Sequence, residues 1–308
     1  MEKQKILITG ATSKLAEAIV PVLVNETDHD LILISAHNDK LQEFKYLENY
    51  KLSILEIKEV KKLCYKLKPD IIVNTSSVSD IKICENNKKL AWDLNVTAVE
   101  NLASIARVID AHLICFSSDW VFDGFKGPYT EEDKPNPSSY YGKTKHAMEN
   151  ESLYNLKQCT ILRTSELYGM SSFGKKDFID RVHEAFDNED EIYFSEGRFC
   201  NPVFIEDVAL AVMNIIEMKK TGVYHCGGSN WLSEYEIFRK TAGLFEYDIE
   251  KISMLPIEKN LKNMRPCNKF GLITLKAQTE LGVKFVSLES GISTIKYRQK
   301  ELEKWQKD

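Results

Sequence analysis

The sequence predicts an α/β fold, a doubly wound parallel sheet with a smaller C-terminal lobe. Six short runs dense in Ile, Leu and Val recur up to about residue 165, and amphipathic helical segments lie between them. The runs show little polar alternation, as strands covered on both faces do. The repeated strand–helix order gives the double winding. Right-handed crossovers then place the C-terminal ends of the strands on one edge, where ligands bind.

The elements follow in order. KILIT from Lys5 opens the sheet, Gly10 closes that strand, and LAEAIVPVLV from Leu15 is the first helix. LILIS from Leu31 and LSILE from Leu52 read as the second and third strands, with the helix VKKLCYKL from Val60 after them. DIIVNTSS from Asp70 is the fourth strand, followed by the long helical segment LAWDLNVTAVENLASIARVI from Leu90. HLICFSS from His112 and CTILRTS from Cys159 complete the set. After Glu166 the pattern loosens. Helices are expected at Phe178–Phe186 and Glu206–Met218, with a strand-like GVYHCGG from Gly222 between later helices. S-E-Y-E, with Ser233 as N-cap and Glu236 three residues on, has the form of a capping box. The tail KYRQKELEKWQKD reads as a solvated helix end.

Composition narrows the function classes. With 308 residues, 43% of them hydrophobic, the chain can bury the core of one large α/β unit. A net charge of −5 argues against nucleic acid, which needs a basic face. No apolar run reaches membrane-spanning length. The first strand starts almost at Met1, which leaves no room for a signal peptide, so a cytoplasmic protein is expected. The seven cysteines are odd in number and form no C-x-x-C pair; they read as buried free thiols in a reducing compartment. No metal site is expected: Glu131-Glu132-Asp133 reads as a solvated loop without His or Cys at ligand spacing.

KILITGATSKLAEAIV is strand, tight turn and helix, the local form of a dinucleotide site. Ser13 and Ala16 stand where further fingerprint glycines would let the backbone approach a pyrophosphate and let helix pack on strand. Ala16 is small enough for that packing. Ser13 either crowds a phosphate or donates its hydroxyl to one. By itself the segment is equally a plain βα turn. The candidate cofactor residues here are Gly10, Thr12, Ser13, Lys14 and Leu15. The second strand ends in Ser35, Ala36 and His37, with no acidic residue to grip ribose hydroxyls. This tilts the choice between NADPH and NADH toward NADPH, with His37 facing a 2′-phosphate or simply solvent. Glu56, the last residue of the third run, is a further cofactor candidate. Residues 1–165 are thus read as a Rossmann-like cofactor-binding domain and 166–308 as a substrate-binding lobe, with 201–228 returning to the first domain.

The strongest signal is FSSDWVFDGFKGPYTEEDKPNPSSYYGKTKHAMEN, residues 116–150. A strand ends in Ser117-Ser118, a loop rich in Gly and Pro follows, and a helix begins near Ser138 or Ser139, both suitable N-caps. Tyr141 and Lys145 are four apart and share a helix face. Carbonyl reduction needs a hydride at carbon and a proton at oxygen. Tyr141 can give the proton, a neighbouring ammonium on Lys145 favours the phenolate, and the Ser118 hydroxyl can hold the substrate carbonyl. Tyr140 has Thr144 four residues on and cannot take this part. Y-x-x-x-K alone is common on helices; it gains meaning after an S-S-D strand end.

This stretch resembles the signature of the dTDP-4-dehydrorhamnose reductases, extended short-chain dehydrogenase/reductases whose pattern reads S-T-D-Y-V-F-D-G, G-P-Y-x-E-x-D-x-P-x-P and Y-G-x-S-K. PDIIVNTSSVSDIKICE, ILRTSELYG, GRFCNPVFIEDVA and Arg265-Pro266 resemble further family segments, the third of them the stretch around Q-x-G-x-P-T-x-x-x-D-L-A. The resemblance implies Ser118, Tyr141 and Lys145 as catalytic residues. It implies Asn74, Ser76 and Ser77 along the cofactor, Asn95 supporting the site, and Ser79, Ser118, Asp119, Trp120, Asn201 and Arg265 toward a nucleotide-sugar. The chain departs from the family at Ser13 and Ala16, at Ser118 in place of threonine, at Thr75, Ser76 and Ser77 in place of alanines, at Trp120 in place of tyrosine, and at Asn201 and Val203 around Pro202. The implied reaction is reduction of a keto group, a 4-keto-6-deoxyhexose, by NADPH or NADH. An epimerase or dehydratase of the same superfamily is an alternative. So is a non-catalytic subunit resembling the β subunit of methionine adenosyltransferase. The oligomeric state is open, a homodimer included. Arg163, inside a strand, reads as half of a buried ion pair, and His183 and His225 as structural histidines.

Overall fold

The structure is a computed structural model and describes residues 2–37, 41, 44–171, 176–194, 197–254 and 269–305. The strands are β1 (Lys5–Thr9), β2 (Asp30–Ser35), β3 (Glu48–Lys51), β4 (Ile71–Asn74), β5 (His112–Ser118), β6 (Cys159–Thr164), β7 (Leu167–Tyr168), β8 (Ile192–Phe194), β9 (Phe199–Cys200), β10 (Val203–Phe204), β11 (Gly222–Cys226), β12 (Leu232–Ser233) and β13 (Ile252–Met254). The helices are α1 (Lys14–Glu26), α2 (Ile57–Leu67), α3 (Ile81–Asn86), α4 (Lys88–Trp92), α5 (Ala98–Ile109), α6 (Tyr140–Asn155), α7 (Phe178–Asp187), α8 (Ile205–Met218), α9 (Glu234–Leu244), α10 (Leu275–Leu281) and α11 (Leu288–Trp305).

Seven parallel strands form the central sheet in the order β11-β6-β5-β4-β1-β2-β3, a Rossmann-like arrangement. Alternate residues of each strand feed two cores. On one face Ile6, Ile8, Leu31, Leu33 and Val73 pack with Ala16, Ile19 and Leu23 of α1 and with Val208, Val212 and Ile215 of α8. On the other, Leu7, Ile32, Ile72, Leu113 and Ile161 pack with Val60 of α2, Leu102 and Ala106 of α5 and Met148 of α6. Burial on both faces explains why the strands are apolar at nearly every position.

The third strand is the exception. It is ENYK, Glu48–Lys51, and not LSILE from Leu52. As the edge of the sheet, beside β2 alone, β3 carries charged residues that an internal strand would not tolerate. The apolar signal at Ile54 comes from the crossover, where that side chain is buried under α2.

The chain crosses from the sheet to the lobe and back. α8 packs on α1 and β11 extends the sheet beside β6. A second return lies further on: Ala277 and Leu281 of α10, with Val283 and Phe285, join the core under α8. A separate core, with Tyr168, Phe178, Val182, Phe204, Phe238 and Ile292, holds α7, α9 and α11 together. Asp177 caps α7 and Ser233 caps α9, each in a reciprocal capping box. The six described cysteines are free and buried; Cys267 lies outside the described residues.

Candidate active site

The site is built where α6 meets the end of β5. Ser118 ends the strand and caps a short 3₁₀ turn, Asp119–Val121, by accepting from the Trp120 N–H at 3.3 Å. Ser139 starts α6 by accepting from the Gly142 N–H at 3.0 Å. A Cβ on Gly142 would stand 2.0 Å from the Trp120 carbonyl oxygen. Glycine therefore lets the first turn of α6 lie against the 119–121 turn, and this sets Tyr141 beside Ser118. Lys145, one turn on, holds its Nζ 5.9 Å from the centre of the Tyr141 ring and donates to the Phe116 carbonyl at 2.9 Å. Ser118, Tyr141 and Lys145 are all buried. The structure thus brings the three expected catalytic residues together.

Their electrostatics differ from the expectation. Burial pushes the Tyr141 phenol above its ordinary value, the hydrogen bond with Ser118 pulls it back, the Asp119 charge pushes it up again and Arg198 pulls it down. Burial lowers the Lys145 ammonium to about 8. Lys145 stands over the ring and spends a donor on Phe116, so the phenol stays neutral with a proton to give.

At the first turn Gly10 has φ +68°, and a Cβ there would lie 2.5 Å from Ser76 Oγ. The loop after β4 therefore presses directly on the turn, as glycine permits. The Ser13 hydroxyl is engaged within the turn. It caps α1 by accepting from the Ala16 N–H (3.1 Å) and donates to Thr75 Oγ1 (2.8 Å). Thr75 in turn donates to the Thr9 carbonyl at 2.7 Å. Ala16 is fully buried against the sheet, and Leu15 packs beside it. Lys14 pairs with Asp177 at 2.5 Å, tying the start of α1 to the start of α7. Thr12 and Ser35 share a hydrogen bond of 2.8 Å, and Ser35 also accepts from the His37 N–H, whose side chain is exposed.

Asn74 accepts from Thr9 Oγ1 at 2.6 Å and from the Ser76 N–H at 3.2 Å. Ser76 is half-buried; Ser77 and Ser79 are exposed on the same loop. Asn95 lies in a π-helical turn, Asp93–Thr97, between α4 and α5. Its amide bonds both polar groups of the Val78 backbone and donates to Thr144 Oγ1 at 3.0 Å, so it fastens that loop to α6. Single wide turns of this kind recur at functional sites. Glu56 is exposed and accepts from the Ser53 N–H within its own loop; no bond links it to the other candidates. The tight turn, the N-terminus of α1, the hydroxyl-rich floor and, among the described residues at the end of β2, the absence of an acid together fit a nicotinamide dinucleotide.

After β5 Asp119 is fully buried and pairs with Arg198 at 2.6 Å. The Arg198 guanidinium lies 4.7 Å from the centre of Trp120 and 5.2 Å from that of Phe270, and reaches Glu166 at 3.1 Å. Asn201 faces protein instead of ligand. Its amide donates to the carbonyls of Gly228 and Leu272 and accepts from the Leu272 N–H. Joining segments far apart in sequence takes both of its N–H donors and one of its two acceptor lone pairs. Arg265 lies outside the described residues. Arg198 and Phe270 were missed by the sequence reading. Arg198 had a signal, a cation in GRFCNP at the position of the family's glutamine, next to an apolar strand.

Arg163 forms the buried pair, with Glu149, at 2.9 and 2.8 Å. Burial works against the Glu149 carboxylate, yet the Arg163 bonds hold it down to about 2. His225 sits between Arg163 and the Tyr129 carbonyl, and His183 bonds the Tyr247 hydroxyl. Glu131 departs from the solvated reading: it accepts from the His225 N–H at 2.9 Å and caps the exposed edge of the sheet. Among the described residues no His, Cys, Asp and Glu cluster suits a metal ion, and no helix is long and apolar enough to cross a membrane.

The chain resembles known proteins over most of its length. It is 30% identical over 274 residues to methionine adenosyltransferase 2 subunit beta of Xenopus tropicalis, covering 86% of this chain and 79% of that protein. It is 25% identical over 282 residues to the spore coat polysaccharide biosynthesis protein SpsK of Bacillus subtilis, covering 91% and 92%. Its fold matches a dTDP-4-dehydrorhamnose reductase from Bacillus anthracis, crystallised with NADP, at a TM-score of 0.81 and 21% identity, over 96% of this chain and all of that one. A family model described as RmlD substrate binding domain matches residues 4–297. The chain therefore belongs to that family, within the extended short-chain dehydrogenases/reductases.

Proposed function

We propose that the protein reduces a keto group on a nucleotide-activated sugar, a 4-keto-6-deoxyhexose, with NADPH. The observation that carries this is the convergence of Ser118, Tyr141 and Lys145 at the end of β5. The bound cofactor supplies a hydride to the carbonyl carbon. Tyr141 gives its hydroxyl proton to the carbonyl oxygen, so the ketone becomes an alcohol. Ser118 orients the carbonyl, and Lys145 compensates the phenolate left behind. Ser35, Ala36 and His37 at the C-terminal end of β2 offer no acid to repel a 2′-phosphate, which supports NADPH over NADH. The likeness to a polysaccharide biosynthesis protein supports a sugar substrate.

The test is NADPH oxidation with dTDP-, GDP- and UDP-linked 4-keto sugars. Tyr141→Phe should lower turnover by at least about 10²-fold, the scale of a lost general acid, while NADPH binding stays within about twofold. Turnover unchanged in that variant would sink the assignment. Net consumption of added NADPH separates a reductase from an epimerase or dehydratase, which return the cofactor to its starting state.

A second reading is a non-catalytic subunit like the one it resembles at 30% identity. Lys14, held by Asp177 at the mouth of the first turn, favours it, because the only cation at the start of α1 is already paired. A wild-type chain that binds NADPH but oxidises none with any sugar would select this reading.

A further inference from the structure

We propose that Phe270 is a positioning residue for the sugar: it holds the Trp120 indole in place as a wall beside Ser118 and Tyr141. This inference rests on the reductase reading and adds a residue to it. Trp120 comes two residues after Ser118, and its backbone N–H donates to Ser118 Oγ at 3.3 Å. Its ring packs against the cluster of Tyr141, Cys84 and Ala91, and it is half-buried, so part of it stays open. A sugar whose carbonyl reaches Ser118 and Tyr141 therefore meets this ring. The indole also meets the Phe270 ring at 4.7 Å between centres, tilted by 37°, and the Arg198 guanidinium at 4.7 Å. Arg198 in turn lies 5.2 Å from the Phe270 ring, so the three close a triangle of nearly equal sides. Two of its corners differ in how they are held. Arg198 is fixed without the rings, because Asp119 and Glu166 take its two terminal nitrogens. The indole has no hydrogen bond of its own among the described residues, so its place depends on what packs against it.

Phe270 can set that place because its own backbone is tied on two sides. It belongs to a strap, residues 269–273. Toward the loop that follows Trp120, the Lys269 N–H donates to the Gly124 carbonyl at 2.6 Å, the Gly127 N–H to the Lys269 carbonyl at 3.0 Å and the Tyr129 N–H to the Gly271 carbonyl at 2.9 Å. On the other side the Phe270 N–H donates to the carbonyl of Phe199 in β9 at 2.9 Å, and the Trp231 indole N–H donates to the Phe270 carbonyl at 2.6 Å. The Asn201 amide bonds both polar groups of the Leu272 backbone. The Phe270 side chain is 1% exposed. It also lies directly on Gly124, where a Cβ would stand 2.8 Å from two ring atoms. A strap so anchored delivers a rigid ring to the edge of the indole. Changing that ring moves Trp120 and leaves Ser118, Tyr141 and Lys145 untouched.

The experiment uses the full chain, with NADPH and a dTDP-linked 4-keto-6-deoxyhexose as probes. A wall touches substrate and transition state alike, so its loss raises KM more than it lowers kcat. In Phe270→Ala the KM for the sugar should rise about tenfold, with kcat and the KM for NADPH within about threefold. Phe270→Leu fills the space with an apolar side chain but sets no ring against the indole. It should regain most of the thermal stability lost in Phe270→Ala, while its KM for the sugar stays at least about fivefold above wild type. An unchanged KM for the sugar in either variant, a parallel rise in the KM for NADPH, or a Leu variant that restores stability and sugar KM together would each overturn the proposal. A crystal structure of Phe270→Leu reads the same point without turnover. The centre of the Trp120 ring should lie beyond about 6 Å from the Arg198 guanidinium carbon; an indole still in contact overturns the proposal. If the wild type oxidises no NADPH with the sugar, the reductase reading fails by itself, and this structure still decides whether Phe270 holds Trp120.

Discussion

The ammonium of Lys145 is buried at a cost that its bond to the Phe116 carbonyl offsets only in part. Burial lowers it to about 8 from 10.5. Below pH 8 the folded protein carries this charge at a penalty, which is relieved as pH rises from about 8 toward 10.5. Lys145→Met removes the penalty, so its stability relative to wild type should be greatest near pH 7. The advantage should shrink by about 2–3 kcal/mol by pH 10.5 in chemical denaturation, even though turnover is lost. A pH-independent difference would contradict the burial argument. At this scale the sequence displayed which side chains would meet. Ser118, Tyr141 and Lys145 could be identified because hydroxyl, phenol and ammonium at that spacing have few other uses after a strand end. Arg198 and Phe270 could not be placed, because their meeting with Trp120 depends on how distant segments fold. Asn201 was assigned to ligand because sequence does not show that Gly228 and Leu272 take its amide.

Among the elements, α6 carries the most consequence. On helix propensity alone, Gly142→Ala should stabilise by up to about 1 kcal/mol. The contact with the Trp120 carbonyl reverses the sign, since a methyl at 2.0 Å forces α6 or the turn to move. The variant should be less stable by about 1–3 kcal/mol in urea unfolding, with kcat reduced at least about tenfold as Tyr141 leaves Ser118. A more stable, fully active variant would show that the close approach is dispensable. The internal strands were legible because burial on both faces makes them apolar throughout. The edge strand β3 was not, since exposure made it polar, and the apolar residues nearby belonged to a crossover. The π turn at Asn95 was hidden for a different reason: its residues keep helical periodicity on either side, and only the backbone shows the widened turn.

Across the whole molecule, the Arg163–Glu149 pair joins β6, next to the edge of the sheet, to α6, and through His225 to β11. Glu149→Gln leaves a buried guanidinium without its counter-charge and should destabilise the fold by about 3–5 kcal/mol. In the wild type the Glu149 carboxylate is held down to about 2 from 4.5, so this contribution is complete above about pH 4.5 and fades as pH falls toward 2. The variant should lose less of its remaining stability over that acid range. Equal acid sensitivity in both proteins would count against the pair. The two returns of the chain to the sheet have a further consequence, for protein engineering. A cut after residue 165 would strip β11 from β6 and α8 from α1, leaving a raw strand edge and an uncovered apolar face. Exchanging the C-terminal half for a relative's therefore requires several splice points, chosen so that both re-entering segments stay with their own sheet.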